Sequence, residues 1–107
     1  MGNKIKKTIK ELPKIERPRE KLMQYGPEKL SNSELLAILL RSGTKEENVV
    51  ELANKILKRF SANELPNLIF NDLKDYPGLG PAKACEIIAC FELGKRLLKN
   101  KKAQIYL

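Results

Sequence analysis

Tyr76-Pro77-Gly78-Leu79-Gly80-Pro81 is the stretch that most restricts how this chain folds. Two glycines one residue apart are followed at once by a proline and then by a long, largely apolar run. Glycine tolerates positive φ and lets another chain approach the backbone closely. Proline suits the first helical position, where its missing N–H would have had no partner anyway. The stretch therefore predicts a tight hairpin at residues 78–80 that opens a helix at Pro81 and aims free backbone N–H groups outward. The first N–H groups of a helix have no acceptor within it, which is the physical requirement for gripping a phosphate.

The rest of the chain also reads as helices. Arg17-Pro18-Arg19-Glu20-Lys21-Leu22 starts the first, and Gly26-Pro27 ends it. Ser31-Asn32-Ser33-Glu34 is a capping box, with Leu30 and Leu35 placed for a hydrophobic staple. The helix that follows, residues 34–40, is apolar all round and is expected to be central and buried. Gly43 is expected to end it as a left-handed cap. Residues 47–60 form the best amphipathic helix: Val49, Ala53, Ile56 and Phe60 share one face, widened by Leu52 and Leu57. A second capping box, Ser61-x-x-Glu64, begins the next turn, and Pro66 divides residues 62–76 into two short helices, with Asn71 the expected cap of the second. The last helix runs from Pro81 to Lys99; Gly94 weakens it by up to about 1 kcal/mol relative to alanine unless close packing requires it. No segment alternates with period two, so no sheet is expected. The fold class is all-α: a compact bundle of about five helices over residues 16–99, with a basic arm at 1–15 and a tail or start of a linker at 100–107.

Composition narrows the chemistry. Histidine is absent, so there is neither an imidazole metal ligand nor an imidazole general base. Asp72, Asp75 and Glu86 lie near the hairpin but read as capping and solvated residues, so no catalytic residue, metal or cofactor is expected. Cys85 and Cys90 fall on different faces of one helix and are expected to be buried small hydrophobes in a reduced, intracellular setting. The N-terminus lacks an apolar region and no apolar run approaches about 20 residues, so neither a signal peptide nor a membrane span is expected, and a cytoplasmic location is expected. Twenty-one Lys+Arg against 13 Asp+Glu give a net charge of +8, concentrated in residues 4–21 and in Lys95, Arg96, Lys99, Lys101 and Lys102. The hairpin itself is close to neutral. Such a balance fits a polyanionic partner and equally fits solvated chain ends.

A short helix, Pro-Gly-Leu-Gly-Pro and a long helix together resemble a helix–hairpin–helix motif over residues 71–93. The resemblance implies that Leu79 points inward and locks the two helices. It also implies that amides of Gly78, Leu79, Gly80 and Ala82, with the Lys83 charge, face a nucleic-acid phosphate. None of these groups reads a base, so the contact positions nucleic acid without specifying sequence. The alternative is a turn whose glycines serve packing only. Residues 36–40, Arg41-Ser42-Gly43-Thr44 and residues 49–57 read as a fainter, degenerate copy with a longer turn; it is expected to be mainly structural, with Arg41 as a secondary DNA contact.

Larger blocks add to this. Arg17-Pro18-Arg19-Glu20-Lys21-Leu22, the stretch from Leu30 to Gly43, Pro77-Gly78-Leu79-Gly80-Pro81-Ala82-Lys83-Ala84 and Glu92-Leu93-Gly94-Lys95-Arg96 occur in that order. Together they resemble the N-terminal region of the bacterial RadC family, also designated UPF0758 and labelled a DNA-repair protein. That family carries a C-terminal JAB/MPN metalloprotease-like domain with metal-binding histidines. None of these is found in the 107 residues, which are expected to be a fragment of a longer product. The resemblance implies a non-catalytic module that binds DNA weakly and in a salt-dependent way. The alternative is an interaction or regulatory domain that docks on the C-terminal domain or on repair proteins.

Overall fold

The computed structural model describes residues 17–99. The basic arm and the tail expected at the two ends lie outside the described residues. Five α-helices follow in order: α1 (Pro18–Tyr25), α2 (Asn32–Leu40), α3 (Val49–Arg59), α4 (Phe70–Leu73) and α5 (Pro81–Lys99), with 3₁₀ turns at Pro27–Lys29 and Leu65–Asn67. No strand occurs among the described residues. The chain divides into two compact units, one ending at Arg59 and the other beginning at Phe60.

The first unit is α1 to α3. Pro18 opens α1, and Gly26 closes it at φ 88°, a backbone conformation that side-chain-bearing residues rarely adopt. The Ser31 box forms as expected: the Ser31 amide donates to Glu34 Oε1 (2.8 Å), and the Glu34 amide donates to Ser31 Oγ (3.1 Å). α2 is not buried all round. Leu36, Ala37 and Leu40 are buried, Ile38 and Leu39 are half-buried, and Leu35 is exposed. The main partner of α2 is α3, whose buried residues Val49, Leu52, Ala53 and Ile56 follow the stripe that its amphipathic pattern predicts. A box that the sequence reading missed caps α3. The Asn48 amide donates to Glu51 Oε1 and the Glu51 amide donates to Asn48 Oδ1, both at 2.9 Å. Lys21 Nζ lies 2.9 Å from Glu34 Oε2 and ties α1 to the start of α2.

Gly43 is not the left-handed cap of α2. The C-cap is Arg41, at φ 69° and ψ −43°; its amide donates to Ala37 O at 2.9 Å, and the Ser42 amide donates to Leu40 O at 2.8 Å, closing a γ-turn on Arg41. Gly43 is needed for a different reason. A Cβ there would lie 2.3 Å from Glu47 O, 2.6 Å from Asn48 C and 2.8 Å from Val49 N, so the entry to α3 passes too close for any side chain.

The second unit is built on Phe60, Leu65, Leu73, Leu79, Ala84 and Ile87, all buried. Ser61 and Glu64 form their reciprocal bonds (2.8 and 3.1 Å), and Pro66 falls in the 3₁₀ turn that follows. Asn71 does not cap α4. The N-cap is Ile69, whose amide donates to Asp72 Oδ2 at 2.8 Å, because a carboxylate three residues into the helix reaches back to the first orphan donor. Cys85 and Cys90 are exposed, not buried. At 100° per residue they sit about 130° and 90° away from the middle of the Ala84–Ile87 stripe. Toward its end α5 outruns its packing partners: Leu93, Leu97 and Leu98 are 58%, 48% and 72% exposed.

Candidate functional site

The turn between α4 and α5 is set by residue type. Tyr76 O accepts from the Leu79 amide at 2.9 Å, with Pro77 and Gly78 between them. Gly78 has φ 92°. Proline at the second position and a glycine of positive φ at the third define a type II turn. The turn is anchored from both sides. Tyr76 donates its amide to Leu73 O at 3.0 Å, and its ring lies 6.1 Å from that of Phe60. Leu79 is only 5% exposed and shares the core with Leu73, Ala84 and Ile87. Burial of a leucine contributes roughly 1.5–3 kcal/mol, so Leu73 and Leu79 fix the turn against the start of α5.

The residues named at this turn divide by what their groups are doing. The Leu79 amide is already donated within the turn, so Leu79 serves as a packing residue. Gly80 is exposed, precedes Pro81 and lends its carbonyl to the Ala84 amide at 3.0 Å, the first bond of α5. Nothing lies within 4 Å of where a Gly80 Cβ would stand. The space in front of Gly80 is open, and glycine is not required there by the chain's own packing. Ala82 is exposed in the first turn of α5, where helix geometry leaves its amide without an intrahelical acceptor. Lys83 follows, half-buried, and makes a contact within the chain. Gly78, Gly80, Ala82 and Lys83 therefore stand together at the positive end of a 19-residue helix.

Arg41 belongs to the first unit and is exposed at the C-cap of α2. The segment from Arg41 to Asn48 that joins α2 to α3 is no copy of the tighter turn: it is organised by Thr44, whose Oγ1 accepts the Glu46 and Glu47 amides, both at 3.2 Å. A cavity of about 300 Å³ opens beside Arg41 and is lined by Arg17, Arg19 and Glu20 as well. Arg41 is singled out by the sequence pattern, whereas Arg17 and Arg19 enter there only as part of the basic stretch 4–21 and of the Arg17-Pro18-Arg19 opening of α1.

Two carboxylates have shifted affinities. Partial burial of Glu34 pushes its pKa up, but hydrogen bonds from Lys21 and from the Ser31 amide, together with the Lys21 charge, outweigh this and leave it below the ordinary value. On α5, the hydrogen bond from Arg96 and the charge of Lys95 hold the Glu92 carboxyl below its ordinary value. Arg96 Nε and Lys95 Nζ lie 2.9 and 3.6 Å from that carboxylate. Among the described residues no group of three or more Cys, Asp or Glu side chains is placed to hold a metal ion. No helix among them is long and apolar enough to cross a membrane.

The family model for the UPF0758 N-terminal domain matches residues 9–85. A UPF0758 protein of Geobacillus kaustophilus is 46% identical over 99 residues, covering 92% of this chain and 44% of the relative. One from Clostridium acetobutylicum is 52% identical over 102 residues (94% and 44%), and one from Methanosarcina mazei is 48% identical over 89 residues (83% and 39%). The chain spans less than half the length of these relatives. No solved structure matches it significantly. The chain belongs to the UPF0758 family and corresponds to its N-terminal domain.

Proposed function

We propose that this domain is a non-catalytic, sequence-nonspecific DNA-binding module that grips a backbone phosphate at the α4–α5 turn, in the manner of a helix–hairpin–helix motif. The observation that carries the reading is the open approach to Gly80 at the start of α5. A phosphate can come close to backbone amides there without meeting a side chain, and the helix dipole favours its charge. The donors are the amides of Gly78, Gly80 and Ala82, with Lys83 adding charge. Arg41 is a separate contact on the first unit. One turn neutralises roughly 1–3 phosphates, which places affinity in the range of about 10⁻⁴–10⁻⁶ M and makes it fall with salt. The resemblance to RadC proteins supports a role in DNA repair.

A second reading rests on the exposed Leu93 and Leu97, about one turn apart on one face of α5. An apolar surface of this kind suits docking onto another domain, and the relatives are more than twice as long as the matched region. Amide chemical-shift mapping with short duplex and branched DNA separates the two. Shifts centred on residues 78–83 support phosphate gripping. An unchanged spectrum at low salt refutes it and leaves the docking role.

A further inference from the structure

The cavity in the first unit gathers three arginines from two helices. Arg17 and Arg19 come from the start of α1, and Arg41 comes from the end of α2. Among the described residues Glu20 is the one acidic residue on the wall, so the described lining carries two net positive charges. The remaining wall is apolar and includes Pro18, Ala37 and Val49. Guanidinium groups pair bidentately with phosphate and carboxylate oxygens, and an apolar wall reduces the screening of such pairs. A volume of about 300 Å³ is at the small end of ligand sites, which favours a compact head group. Charge selects between the candidates. A carboxylate or a phosphodiester carries one negative charge, whereas a phosphomonoester carries about 1.5–2 at neutral pH and matches the lining.

We propose that Arg17, Arg19 and Arg41 form a binding site for a phosphomonoester, either the terminal phosphate of a nucleic-acid strand or that of a free nucleotide. Arg41 is held at φ 69°, a conformation that ordinarily carries a cost for a residue with a side chain. Arg17 and Arg41 already make contacts within the chain, so the ligand adds to or exchanges with them. The site shares Arg41 with the DNA reading but none of the α4–α5 turn, and the two stand or fall separately.

The test is an amide and arginine-Nε NMR titration of the 107-residue chain with inorganic phosphate, against sodium chloride at equal ionic strength. Saturable shifts at residues 17–21 and 40–42 with phosphate, absent with chloride, are expected. Arg41→Gly deletes the guanidinium and suits the positive φ, so it keeps the fold; Arg19→Ala removes an exposed side chain. Each is expected to weaken phosphate binding by about tenfold or more. Lys58→Ala, which removes an exposed α3 side chain that is not part of the cavity lining, is expected to leave the shifts at residues 17–21 and 40–42 unchanged. Adenosine 5′-monophosphate and one oligonucleotide with and without a 5′-phosphate identify the source. Preference for the phosphorylated strand assigns the site to strand ends. Binding of the mononucleotide with no difference between the strands assigns it to a free nucleotide. Shifts that fail to saturate, or equal phosphate binding by wild type and both arginine variants, overturn the proposal.

Discussion

Gly43→Ala tests the packing logic of the first unit most severely. The new methyl carbon would stand 2.3 Å from Glu47 O, 2.6 Å from Asn48 C and 2.8 Å from Val49 N. All three are backbone atoms, so no side chain can swing aside. Glu47 O also accepts the Thr44 amide at 2.9 Å, and Asn48 caps α3. Relief therefore requires moving the whole entry to α3 away from α2, which strains the cap and loosens Val49, a residue only 5% exposed. Overpacking of this kind costs about 1–3 kcal/mol, and a weakened turn bond adds roughly 1 kcal/mol. A total of about 2–4 kcal/mol corresponds to a fall in Tm on the order of 10–30 °C for a domain of this size. Urea and thermal melts followed by far-ultraviolet circular dichroism measure it. A variant within about 0.5 kcal/mol of wild type would refute the close approach at Gly43.

Other expectations follow from single residues. Gly94→Ala meets nothing within 4 Å and lies within α5, so it is expected to stabilise the chain by about 0.5–1 kcal/mol in the same melts. Glu34→Gln is expected to cost about 1 kcal/mol at neutral pH by removing the Lys21 ion pair and weakening the cap. Because the Glu34 pKa is lowered on folding, that contribution is present above the ordinary carboxylate pKa and is lost as pH falls through the depressed value. The gap between wild type and Glu34→Gln should accordingly close in acid; a constant gap would show that the carboxylate charge plays no part. Cys85 and Cys90 are exposed, so both are expected to react with a thiol reagent in the native chain nearly as fast as in urea; protection of either would contradict its placement.

The helical fold was legible because its boundaries rest on local chemistry. Pro18, Gly26, the Ser31–Glu34 pair and Pro81 each act on backbone groups within a few residues, and each stands where the pattern puts it. The α3 stripe was equally plain, since one strongly amphipathic helix has one way to be buried. What escaped depends on contacts between distant residues. Gly43 looked like a cap because glycines commonly follow helices, yet its need comes from the backbone of residues 47–49. At α4, a neighbouring asparagine and aspartate competed for one role, and only the aspartate is placed three residues past the cap. Cys85 and Cys90 looked buried because α5 is apolar on more than one side, whereas only the Ala84–Ile87 stripe meets a core. At the candidate site, the glycines, Leu79 and Lys83 were legible, but the loss of the Leu79 amide to the turn and the arginine pairing around Arg41 required three dimensions.

The claim that the α4–α5 turn grips a phosphate is tested most directly by Gly80→Ala in a DNA-binding salt series. The added methyl meets no atom of the chain. Its effect on stability should stay within about 0.5 kcal/mol, because the weaker cap is offset by reduced freedom of the unfolded chain. Fluorescence anisotropy with a short duplex is expected to give weak binding whose logarithm falls with that of salt at a slope of about −1 to −3. Lys83→Glu should make that slope shallower by about one. Gly80→Ala, with an unchanged melt, should weaken binding by roughly tenfold as the methyl holds the phosphate away from the amides. Equal binding by wild type and Gly80→Ala, or no binding by wild type at low salt, would contradict the account.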